Sequence, residues 1–275
     1  MNDLNFTQNQ SFAIIGPPGS GKSTVLRILT ALYHFRQVKR RLIILDTKSS
    51  LYQTGLDPAT GRPPPFTVNL AELGFQLITV DLIAQTVNQL PIPLRSISQG
   101  DLSDSTRAHA IESWQRLILS YGAHGNHNLL FYFTGSADQY ALPELSSQIA
   151  AAVELLGNSL FVVDEASDFI PVQAEGRAWG IRRLITRGRE KGIDFIVSTQ
   201  FLAYTGKISI RSAGNKIIFG TNIKQDLNQL QSLISNSSTI RELQRFEFLF
   251  RDRTGAETIC STDELYADFA AKYLT

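Results

Sequence analysis

The chain has 275 residues, 43% of them hydrophobic and 19% charged, with a formal net charge of +1. That length holds a full core without covalent staples, and the charge balance excludes a binder that attracts nucleic acid by bulk charge. The single cysteine, Cys260, excludes an internal disulfide and fits a reducing cytosol; four scattered histidines form no metal-ligand pattern.

Taken in chain order, Ser11–Ile15 predicts a short strand. A glycine-rich loop follows, then a helix from Gly21 or Lys22 to Phe35 with Val25, Ile28, Leu29 and Leu32 on one face. RLIILD, Arg41 to Asp46, reads as a buried strand ending in a carboxylate, and Thr47 to Pro65 as a long loop. Phe75–Val80 predicts a strand, Leu82–Leu90 a helix stopped by a Pro-Ile-Pro run, and Ser105–Tyr121 an amphipathic helix. His124 and His127 read as loop residues in a Gly/Asn-rich turn. Asn128–Gly135 predicts a strand, Pro143–Leu156 a helix, and Leu160–Glu165 the most apolar strand, again ending in carboxylates. Helix Trp179–Glu190, strand Asp194–Gln200, strand Lys216–Asn222 and helix Asp226–Ile234 come next. FEFLFRD and AETICS flank Arg253-Thr254-Gly255 as a β-hairpin, and a helix over Asp263–Tyr273 closes the chain.

This alternation predicts an α/β fold. A mostly parallel central sheet carries helices on both faces, with a C-terminal β-hairpin and helix added. Residues 1–275 are expected to form one domain with a helical insertion near 82–128. Such sheets bind ligands beyond the carboxyl ends of their strands, where Asp46, Asp164, Glu165, Thr199 and Gln200 are expected to gather. No apolar run reaches the roughly 20 residues of a membrane span, and the polar start MNDLNFTQNQ lacks a signal pattern, so a cytosolic protein is expected.

Gly16-Pro17-Pro18-Gly19-Ser20-Gly21-Lys22-Ser23 fits G-x-x-x-x-G-K-[ST], the Walker A pattern, at every fixed position, and Thr24 follows it. Glycines let backbone N–H groups point inward at a triphosphate, and the next helix presents its positive end. Lys22 is expected to reach the β- and γ-phosphates, and the Ser23 hydroxyl to ligate Mg²⁺. Asp164 would hold the same ion through water, and Glu165 would polarise the attacking water. The amide of Gln200 is a candidate γ-phosphate contact. Arg187 and Arg189 are candidates to offset phosphoryl charge, from their own subunit or a neighbour; composition alone favours a solvated basic helix end there. No guanine-selecting N-K-x-D occurs, so ATP is expected over GTP.

GPPGSGKST, RLIILDTKSS, LFVVDEASDFIP, LITRGREKGIDFIVSTQ and ISIRSAGNKIIF, in that order, resemble the FtsK–HerA superfamily of P-loop ATPases. The likeness covers about residues 11–222 in patches. It rests on Asp46 with Lys48, on Asp164-Glu165-Ala166 followed by Phe169 and Pro171, and on Gly188-Arg189, Gly192 and Thr199-Gln200. Ser167 stands where many relatives carry histidine, and residues 82–128 match nothing in the pattern. The compact form is similar to genome-packaging ATPases of membrane-containing DNA viruses. The resemblance implies a homo-oligomeric ring, usually a hexamer, that moves double-stranded DNA with ATP and Mg²⁺. Arg189 would be its phosphate-sensing arginine, with Arg187 second. It also implies residence in the host cytoplasm if the gene is viral, or association with the virion, and a capsid portal or membrane vertex protein as a further partner. Candidate DNA contacts are the Lys39-Arg40-Arg41 cluster, the Gly61–Pro65 loop with Arg62, and Gln173 to Arg177; each also reads as a solvated surface. Rival readings are a filamentous-phage-type assembly or export ATPase of the same superfamily, a P-loop kinase, and a nucleotide switch.

Overall fold

The computed structural model describes residues 10–48, 51, 68–88, 90–91, 104–123, 127–135 and 141–274. Its elements in chain order are β1 (Ser11–Ile15), α1 (Lys22–Phe35), β2 (Arg41–Asp46), β3 (Gln76–Asp81), β4 (Thr86–Val87), β5 (Leu90–Pro91), α2 (Asp104–Ala123) and β6 (Asn128–Thr134). Then come α3 (Ala141–Leu156), β7 (Ser159–Val163), α4 (Ala166–Phe169), α5 (Trp179–Arg187), β8 (Asp194–Thr199), α6 (Lys207–Ser212), β9 (Asn215–Phe219), α7 (Lys224–Leu230), α8 (Ser238–Glu242), β10 (Glu247–Arg251), β11 (Glu257–Ser261) and α9 (Thr262–Tyr273).

All described strands join one sheet of 11, ordered β11-β10-β9-β1-β8-β7-β2-β6-β3-β4-β5. From β9 to β3 every pairing is parallel, and both flanks are antiparallel. Central strands are apolar on both faces because helices cover both. Phe12, Ile14, Ile44, Leu160 and Val162 pack under α1 and α9, whereas Ala13, Ile15, Ile43, Phe161 and Val163 pack under α3 and α5. The α/β class, the parallel centre and the C-terminal hairpin and helix thus match expectation.

The helix expected over Leu82–Leu90 does not form. Asp81 Oδ1 accepts from the Ile83 and Ala84 N–H groups, which ties the chain into a turn, and Gln85 and Asn88 sit at positive φ. The short strands β4 and β5 extend the sheet instead. Most of the Thr47–Pro65 loop, with Arg62, lies outside the described residues, as does His124.

Candidate active site

β1 and β8 run parallel, so the glycine loop after Ile15 emerges beside Thr199, and the Gly16 N–H donates to the Thr199 carbonyl at 3.2 Å. The loop needs its glycines for definite reasons. A Cβ on Gly16 would lie 2.6 Å from Phe219 Cβ, and Gly21 adopts φ 109 where a Cβ would lie 2.9 Å from Thr262 Cγ2. No side chain caps α1, so its first N–H groups stay available to an anion. Ser20 Oγ is buried in the loop and has no hydrogen-bond partner among the described residues, as expected of a hydroxyl set to meet a phosphate oxygen.

Lys22 is buried, and its ammonium donates to the Pro17 carbonyl at 2.8 Å. Burial pushes its pKa down to about 8, although Glu165 and Asp164 lie near enough to oppose the shift. Ser23 and Thr24 follow in the first turn of α1, both half-buried.

Asp164 and Glu165 leave the end of β7, each only 5% exposed. The Ser198 hydroxyl on β8 donates to Asp164 Oδ1, and the Glu165 N–H donates to the same oxygen at 3.1 Å. Burial raises the Asp164 pKa against the pull of that hydroxyl. Glu165 sits in the left-handed region at φ 59, a cost tolerated by few non-glycine residues and common at functional sites. Its Oε1 accepts from Ser167 Oγ at 2.7 Å and from the Gln200 backbone N–H at 3.0 Å, while Oε2 takes Lys48 Nζ at 2.9 Å. Burial alone would raise its pKa, but these three donors hold the carboxyl below its usual range. The Gln200 main chain is thus one of the groups that hold Glu165.

Two participants, Lys48 and Arg27, were not predicted as site residues, and Asp46, expected at this edge, joins them. Lys48 was legible only as part of the Asp46–Lys48 pattern, not as the partner of Glu165. Arg27, on α1, is buried where the charges of Asp164 and Asp46 act on it. Asp46 is fully buried; burial and then the Asp164 charge raise its pKa to about 6, and its Oδ2 has no hydrogen-bond partner among the described residues. Arg27, Lys22 and Lys48 thus face Asp46, Asp164 and Glu165 at the carboxyl edge.

Beside the glycine loop lies a cleft of about 600 Å³, a size suited to a small-molecule ligand, walled by Pro17 to Ser20, Phe219 to Ile223, and Arg241, Arg245 and Phe246. The Arg245 guanidinium stacks over the Phe246 ring at 4.7 Å.

Other expected residues lie elsewhere. Arg187 and Arg189 are exposed just before β8, at the amino edge of the sheet. A six-residue strand spans about 20 Å, so neither reaches the glycine loop of its own chain. Lys39 and Arg41 are also corrected as a DNA surface, because both are buried. Lys39 Nζ donates to the Gly192 carbonyl at 2.8 Å and lies 3.4 Å from Asp194 Oδ1, while Arg41 donates to the Leu156 and Gly157 carbonyls. Among the described residues no group of three or more His, Cys, Asp or Glu could cage a metal, and no helix is long and apolar enough to cross a membrane.

No family model matches the chain, and no curated protein matches it. Solved structures do. VirB4 of Thermoanaerobacter pseudethanolicus superposes with a TM-score of 0.62 at 14% identity, covering 92% of this chain and 89% of that one. The DNA-packaging ATPase of Sulfolobus Turreted Icosahedral Virus gives 0.56 at 17%, covering 92% and 98%. The genome packaging NTPase of Sulfolobus turreted icosahedral virus 2, in complex with ATP-gammaS, gives 0.51 at 14%, again covering 92% and 98%. The chain therefore has the P-loop NTPase fold that VirB4 and these viral packaging ATPases share.

Proposed function

We propose that the chain is an ATPase that couples hydrolysis to movement of double-stranded DNA, acting as the motor of viral genome packaging. The observation that carries this reading is the convergence of Lys22, Asp164 and Glu165 at one sheet edge, with Glu165 held ionised by Lys48, Ser167 and Gln200. The viral packaging ATPases of the same fold support the choice of cargo.

Gly16 to Thr24 would wrap the phosphates, with Lys22 moving from the Pro17 carbonyl onto them. Hard oxygen donors suit Mg²⁺, and a Ser hydroxyl with one carboxylate reached through water is a usual protein share of its shell. Ser23 and Asp164 would hold the ion, which supplies positive charge to offset the β- and γ-phosphates. Glu165 would orient a water against the γ-phosphorus, with the Gln200 region as its neighbour. The nucleoside would occupy the cleft beside Phe219 and Arg245.

Arg189, and Arg187 beside it, lie too far from their own glycine loop to act there, so they would serve the nucleotide of an adjacent subunit. That requires a homo-oligomeric ring, for which we propose a hexamer, docked on a capsid portal or membrane vertex protein in the host cytoplasm or on the virion.

The test is phosphate release from ATP with and without duplex DNA, on a sample whose mass is measured in the same buffer. Release that needs Mg²⁺ and rises with duplex is expected; no release would overturn the reading. The VirB4 likeness favours one alternative, an assembly or export ATPase. Turnover indifferent to duplex DNA would favour it.

A further inference from the structure

We propose that a basic groove along α6, ending at the β10–β11 turn, binds the phosphates of double-stranded DNA. Two cavities of about 200 and 400 Å³ form it, and Arg211, Ser232 and Leu233 belong to the walls of both. The first begins at Leu202, two residues beyond Gln200, and passes Lys207. The second reaches Lys216, Arg251 and Arg253 at the amino end of β9, the far side of that strand from the nucleotide cleft. One end of the groove thus touches the segment that contacts Glu165, and the other lies at the opposite edge of the sheet.

Five cations line this path. The acids beside them, Asp252 and Glu257, are largely occupied. Asp252 Oδ1 accepts from the Thr254 N–H, the Thr254 hydroxyl and the Ala256 N–H, which closes the hairpin turn. Glu257 Oε1 takes the Ser235 N–H at 2.9 Å and lies 3.9 Å from Arg251 Nε. Lys216 Nζ and Arg251 are fixed on the backbone carbonyls of Ala213 and Leu233. Burial first, and then the neighbouring Arg251 charge, depresses the Lys216 pKa. Lys207, Arg211 and Arg253 are exposed and reach solvent. Cations spaced along a groove, without a base-reading element beside them, suit a repeating phosphate chain.

This inference rests on the DNA-moving reading, and the experiment separates the two. Binding of a labelled 20-base-pair duplex is measured by anisotropy across a salt series. The samples are the wild-type chain, the double variant Arg211→Ala/Arg253→Ala, and Arg116→Ala, an exposed control on α2. The expected result is about tenfold weaker binding by the double variant, with a salt slope shallower by about 2. Its ATPase without DNA should stay at the wild-type rate, and Arg116→Ala should bind as wild type. A double variant that binds like wild type, or a control that loses as much, overturns the groove and leaves the cargo reading standing. A wild-type chain that binds no duplex in any nucleotide state overturns both. Poly-glutamate bound as tightly as duplex, and lost in the same double variant, would reassign the groove to an acidic protein partner and overturn the proposal.

Discussion

Lys48 Nζ lies 2.9 Å from Glu165 Oε2, across 117 residues of sequence. With the other oxygen held by Ser167 and Gln200, this pair keeps Glu165 ionised, the form that can polarise a water. If Glu165 orients the attacking water as proposed, activity should be lost as pH falls and this carboxylate takes up a proton. Lys48→Met removes a donor that lowers the Glu165 pKa, so the acid limb of the pH–rate profile should move to higher pH. Glu165→Gln should keep ATP binding and lose at least about 100-fold in turnover. An acid limb that stays in place in Lys48→Met would remove Lys48 from this role.

Lys22 supplies a second, calorimetric test. Its pKa of about 8 leaves it half protonated at that pH. A bound triphosphate raises the pKa, so ATP binding near pH 8 should take up a fraction of a proton. The uptake should fade below about pH 7, where the ammonium is already charged. Titrations in buffers of different ionisation enthalpy measure it. Lys22→Ala should abolish both the uptake and most of the binding.

The parts of this site that were legible in sequence are the ones fixed by short spacing. The glycine loop must follow a strand and open a helix, and β7 advertises itself as an apolar run ending in Asp164-Glu165. What escaped was long-range. Nothing local says that Lys48 pairs with Glu165, or that Ser198, inside an apolar strand, is the donor to Asp164. Lys39 and Arg41 looked like a basic surface because composition does not record that carbonyls of the β7 and β8 connections wait to receive them. The turn at Leu82–Gln85 was missed because it is made by one side chain, Asp81, where the apolar spacing looks helical.

Ser198→Ala deletes the donor to a carboxylate that is only 5% exposed. Hydrogen bonds to charged groups contribute about 2 kcal/mol, so urea unfolding should show a loss of that order. An unchanged midpoint would mean that another group replaces the hydroxyl.

Asp46 carries the opposite sign. Its folded pKa of about 6 stands above the ordinary 3.8, so the folded state disfavours the ionised form. The shift corresponds to about 3 kcal/mol of lost stability, present at neutral pH and removed as pH falls below about 4. Asp46→Asn should therefore stabilise the chain at pH 8 by up to about that amount and flatten the dependence of stability on pH between 4 and 6. A variant less stable at pH 8 would show that Arg27 and Lys48 compensate the charge fully.

The position of Arg189 makes the most decisive prediction. It stands at the amino edge of the sheet, about one strand length from its own glycine loop. If it serves the neighbouring subunit, Lys22→Ala subunits still offer a good arginine, and Arg189→Ala subunits still offer a good nucleotide site. Each variant alone should turn over at least about 1,000-fold more slowly than wild type. Mixed before assembly, the two should recover measurable turnover, because some interfaces join an intact site to an intact arginine. An arginine acting within its own subunit allows no such rescue, since every subunit in the mixture then lacks one half of its site. Phosphate release from the mixed sample, against each variant assembled alone, decides between the two arrangements.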